Sequence, residues 1–142
     1  MTPEQMQLVR LTLAQATNDP LSLGQQFYQR LFILAPDLRA RFDGDIGIES
    51  LNLKDTLTLA FGALSDMRFL VATLEALARR GVARGLTEKH GRAIAQSLLW
   101  AIERRVGTAA FTPQICEAWI ALLAVVVSIL RPTIATQRSH AA

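Results

Sequence analysis

NDPLSLGQQFYQRLFILAPDLRARF, Asn18 to Phe42, decides how the rest of the chain is read. Asn18-Asp19-Pro20 is a helix start, with a capping side chain and a proline where its missing N–H costs nothing. Leu23, Phe27, Leu31 and Leu34 then recur at four-and-three spacing, the period of one buried helix face. Pro36 ends that helix, and Pro36 to Phe42 reads as a short further turn of helix.

The same punctuation continues in both directions. Upstream, Thr2-Pro3-Glu4-Gln5 predicts a helix from Pro3 closed by a capping box. Downstream, Asp43-Gly44-Asp45 with Gly47 is the most loop-like segment, and a helix is expected from about Ile48 with Leu53, Leu57, Ala60, Phe61 and Leu64 as its stripe. Ser65-Asp66 marks a bend before a helix carrying Phe69, Leu70, Leu74 and Leu77, which Gly81 and Gly85 end or loosen. Thr87 is the expected cap of a helix with Ile94, Leu98, Leu99, Ile102 and Val106 on one face, stopped by Gly107. Thr112-Pro113 opens a last helix to Pro132, followed by a small and polar tail. No strand alternation and no repeat interrupts this pattern. The expectation is an all-α fold of six to seven helices in a single domain, 1–132, with a flexible tail, 133–142.

Composition narrows the class. About half of the 142 residues are apolar, enough for a packed core in one domain. The single Cys116 excludes an internal disulfide and a multi-cysteine zinc site, so a reducing cytoplasm is expected. No N-terminal segment has the build of a signal peptide. The longest uncharged run, Ala118 to Leu130, has 13 residues, short of the roughly 20 that span a bilayer. Thirteen of the fifteen basic residues are Arg, and the net charge is only +3. Arg79, Arg80, Arg84, Lys89 and Arg92 form the densest basic stretch, but no aromatic interleaving accompanies it, so no nucleic-acid partner is expected.

Three blocks together resemble a globin, in particular the bacterial single-domain haemoglobins and the globin modules of flavohaemoglobins. They are FYQRLFILAPDLRARF from Phe27, QSLLWAIERRVG from Gln96 and FTPQICEAWIALLAVV from Phe111. The resemblance implies haem as cofactor and oxygen or another small gas as ligand. It assigns Tyr28 to the hydrogen bond with bound oxygen and Phe42 to stacking on the haem. Leu53 falls where a distal His or Gln usually stands, Leu57 on the apolar wall over the iron, and Leu77 one turn before the proximal histidine. Ile94 joins the cofactor-contacting set.

Counting back from Gln96-Ser97-Leu98-Leu99 puts the proximal position at Gly81, which offers no metal ligand. His90 is the only histidine outside the tail and hence the only substitute imidazole, although a structural role suits its place at a helix start better. The tyrosine that supports the proximal side in nitric oxide dioxygenating relatives is matched by Gly91, and the last-helix tyrosine by Leu123. With no nucleophile, base pair or reductase domain in view, the chain reads as a binding protein and not an enzyme. Two readings stay open: a globin with non-standard haem ligation, and a haem-free sensory or interaction module with side chains or a lipid-like ligand in its cleft. A homodimer through the apolar last helix is compatible with both.

Overall fold

A computed structural model describes residues 1–42 and 44–141; Asp43, part of the expected loop, and Ala142, at the end of the expected tail, lie outside the described residues. The described residues form six α-helices and one 3-10 segment: α1 (Pro3–Ala16), α2 (Pro20–Leu34), the 3-10 segment (Pro36–Phe42), α3 (Ile46–Phe61), α4 (Met67–Ala83), α5 (His90–Val106) and α6 (Pro113–Ala141). No strand occurs among the described residues. The all-α expectation holds.

Four helix starts follow from capping chemistry. The Thr2 hydroxyl accepts from Gln5 N–H at 3.1 Å while Gln5 Oε1 accepts from Thr2 N–H at 2.9 Å, completing the capping box. Asp19, Asp45 and Asp66 cap α2, α3 and α4 in turn. α5 departs from expectation. It begins at His90, and Thr87 lies in the preceding turn, where its own backbone N–H donates to His90 Nδ1 at 2.9 Å. The side chain that satisfies an orphan amide therefore comes from inside the helix.

Two helix ends also differ from the sequence reading. Gly81 lies inside α4, which runs on to Ala83; Leu86 N–H then closes on the Gly81 carbonyl at 2.9 Å, and Gly85 with φ of 95° turns the chain away. α6 does not stop at Pro132 but continues to Ala141. Pro132 removes only one ladder donor. Beyond it, buried Ile134 packs into the core, Thr133 Oγ1 donates to Ile129 O at 2.8 Å, and Arg138 pairs with Glu88 at 2.6 Å. Tertiary anchoring outweighs the lost bond.

α2 crosses α3 and α5, and α6 lies across α1 and α4. Gly24 lets α2 and α3 approach until a Cβ there would overlap the Ser50 side chain and lie 2.7 Å from Ser50 Cα. At the centre, Trp119 is fully buried; its Nε1–H donates to Thr12 Oγ1 at 2.8 Å, and Thr12 Oγ1 donates in turn to Leu8 O at 2.8 Å. Phe61 meets the indole edge-on with centroids 6.0 Å apart. α2, α3, α4 and α5 thereby frame the segments that carry the expected cofactor residues.

Candidate functional site

Tyr28 is buried on α2 within an aromatic cluster: Phe27 edge-on at 4.9 Å, Phe42 tilted at 5.5 Å and Phe32 stacked at 6.0 Å between centroids. Its hydroxyl makes no hydrogen bond among the described residues. Burial pushes the phenol far above its ordinary pKa, nearby Glu49 adds to the shift and Arg84 opposes it, so the hydroxyl stays protonated and able to donate.

Phe42 ends the 3-10 segment, and the Arg84 guanidinium covers its ring at 4.2 Å. The same guanidinium holds Glu49 of α3 with both terminal nitrogens, at 2.9 and 3.2 Å, and donates to the Arg41 carbonyl at 3.4 Å. One side chain from the end of α4 thus ties together α3, the 3-10 segment and the aromatic cluster. Neither Glu49 nor Arg84 signals this in sequence: they stand 35 positions apart, and only the approach of α3 to the α4 terminus pairs them.

Of the other expected cofactor residues, Leu57 is buried, while Leu53, Leu77 and Ile94, like their neighbour in the core Leu86, are half-buried. Gly81 is buried. A Cβ on Gly81 would collide with Leu86 Cδ1 and lie 3.2 Å from Leu86 Cγ, so the first atom of any side chain at this position falls in volume that Leu86 fills. Leu86 is held there by its own N–H bond to the Gly81 carbonyl. The missing side chain at the expected proximal position is matched by a leucine packed into its place, and Leu86 had no role in the sequence reading.

His90 is almost fully buried, with both ring nitrogens engaged. Nδ1 accepts from Thr87 N–H at 2.9 Å, which leaves the proton on Nε2 to donate to Asp37 Oδ2 at 2.8 Å. The hydrogen bond from His90, with smaller help from Lys89, holds the Asp37 carboxyl below its ordinary range. The imidazole fastens the start of α5 to the 3-10 segment, and no lone pair is left over for a metal. No group of three His, Cys, Asp or Glu side chains able to hold a metal ion occurs among the described residues.

Haem in the family's manner needs an imidazole on α4 and open space between it and the iron. Gly81 supplies neither the ligand nor the space, and His90 is committed elsewhere. The residues present do not fit a histidine-ligated haem. They do place a protonated phenol within a cluster of aromatic rings.

The sequence pattern of the globin family matches residues 25–130. Among solved structures, the chain is similar to the hexacoordinated haem protein of an anhydrobiotic tardigrade, with a TM-score of 0.84 at 14% identity, covering 95% of this chain and 96% of that one. No curated protein matches the chain in sequence. The matched span runs from α2 to the middle of α6 and includes every residue of the aromatic cluster and of the Gly81 corner; the chain belongs to the globin family.

Proposed function

We propose that this globin acts by binding and not by catalysis, as a haem-free sensory or interaction module of the cytoplasm whose cleft has given up protein-ligated iron. Membership of the globin family supports haem and gas-ligand binding in general, and the tardigrade neighbour is itself a haem protein. The packing of Leu86 against Gly81 carries the narrower reading. Refilling a void with a leucine recovers contacts that an empty proximal pocket would lose. In such a module a change at the cleft is passed on through the Arg84–Glu49 bridge, which joins α4 to α3.

A second reading is favoured by Tyr28 alone. Its hydroxyl, which has no hydrogen-bond partner among the described residues, suits a donor to something in the cleft, so haem held by apolar contact and completed by an external base is the rival. A visible absorption spectrum separates the two, recorded on the purified protein, after adding haem, and again with imidazole. The haem-free module gives no Soret band under any condition. A stoichiometric band that needs imidazole supports the rival, and one without imidazole overturns both by requiring another protein ligand. Gly81→His combined with Leu86→Ala restores ligand and space together; a sharp Soret band in that variant alone confirms that these two positions carry the loss.

A further inference from the structure

α6 carries more apolar surface than the core uses. By length and composition Pro113–Ser139 could cross a membrane, yet less than half of its most apolar stretch is buried. Part of the remainder joins α5 in an open groove of about 730 Å³. The floor of this groove is recessed: Leu123 is buried and Leu99 and Val127 are half-buried, while Ile120 stands exposed at the rim. Its α6 wall spans residues 120–131, about 16 Å at the helical rise.

Polarity falls off along the groove. Arg92 of α5 and Arg131 of α6 share one end, because the Arg131 stem lies against Gly91, where a Cβ would come 3.4 Å from Arg131 Cγ. Gln96 and Ser128 follow, each about one turn further along its helix, and beyond them the lining is apolar. Neither arginine takes part in an ion pair among the described residues. Glu88, the acid close to Arg131, is already held by Arg138 at 2.6 Å. The N-terminus of α5 lies at the same end and adds its partial positive charge. Two guanidinia at one end of a groove without a counter-charge repel each other, and an anion between them removes that cost.

We infer that the α5–α6 groove binds one free fatty acid per chain, its carboxylate between Arg92 and Arg131 and its acyl chain over Leu99, Leu123 and Val127. Guanidinium groups bind a carboxylate through paired N–H donors, and the Gln96 amide, one turn on, can donate to an oxygen left over. Three bonds of an extended chain span about 3.6 Å, so a saturated acid of about ten to twelve carbons matches the groove in length. The recessed floor suits a single inserted chain. A helix that lies on a bilayer presents its large apolar residues outward, and of those lining this groove only Ile120 is so exposed. Binding here is independent of the haem question, because no residue of the aromatic cluster or of the Gly81 corner lines the groove.

Isothermal titration calorimetry of the full chain with decanoate, kept below its micelle concentration, reads the outcome, with decanol and decyltrimethylammonium as neutral and cationic probes of the same length. Decanoate is expected to saturate at one per chain, decanol to bind about tenfold more weakly and the cation to give no saturable heat. Arg92→Gln/Arg131→Gln lowers decanoate affinity about tenfold and leaves decanol unchanged. Ala124→Trp, at an exposed site on the groove, abolishes binding of both with an unchanged helical circular dichroism spectrum. Tyr28→Phe and Leu86→Ala, in the cleft, alter neither. No saturable heat from decanoate overturns the inference, as does decanol or the cation binding as tightly, or an arginine double variant that binds like the wild type. Affinity that is lost with Tyr28→Phe or Leu86→Ala and kept with Ala124→Trp overturns it by moving the acid to the cleft. Flotation with phosphatidylglycerol vesicles without decanoate uptake overturns it by assigning the groove to a membrane surface.

Discussion

Gly24 and Gly81 are both buried, both inside helices and both without room for a Cβ, but different things crowd them. At Gly24 the obstacle includes the backbone of α3, since Ser50 Cα lies 2.7 Å from the site of a Cβ. At Gly81 it is the far end of Leu86, a side chain with rotamers to spare. The first glycine is a condition of the α2–α3 crossing; the second is a vacancy that a neighbour has taken. Identical residues thus report a fixed approach of two helices in one place and a yielding side-chain contact in the other.

Substitutions can test that contrast, and the largest effect is expected at Gly24. Gly24→Ala forces two helices apart and should cost about 1–3 kcal/mol in urea unfolding, despite alanine's better helix propensity. Thr12→Val probes the same rigid core from the far side. It strands the buried Trp119 Nε1–H and should cost about 1–3 kcal/mol, measured in the same way.

A smaller effect is expected where His90 fastens α5 to the 3-10 segment beside the Gly81 corner. Because the folded state depresses the Asp37 pKa, the carboxylate's contribution is fully present above its ordinary value of 3.8 and is lost as the pH falls through the lower folded value. Thermal melts from neutral pH into strong acid should show this loss, and Asp37→Asn should make the acid limb shallower. Gly81→Ala comes last. Leu86 swings aside at little cost while the helix gains about 1 kcal/mol, so the net change should stay within about 1 kcal/mol of zero. In a Leu86→Ala background the same substitution should become clearly stabilising, which Gly24→Ala can never be while α3 keeps its place.

Much of this was readable along the chain because it is local. The caps at Thr2 and Asp19 act within three residues, and the spacing of Leu23, Phe27 and Leu31 needs only the helical period. Globin-like blocks brought the Tyr28–Phe42 neighbourhood into view, and those rings do meet. The partners of these residues were not readable. Arg84 looked like one member of the densest basic stretch, yet it closes over Phe42 and grips Glu49. Thr87 looked like a cap, but the geometry of the turn reversed donor and acceptor roles with His90.

By itself, the sequence determined that this protein is helical, where most of its helices begin, and that a glycine stands at position 81, where the resemblance to globins sets the expectation of an imidazole. Each of these depends on a few consecutive residues and their side-chain chemistry. Tertiary structure alone decided which side chain packs at Gly81, how far α6 continues past Pro132 and which partners His90 and Arg84 hold. Those depend on residues far apart in the chain competing for the same volume, and close packing resolves that competition only when the whole chain is in place.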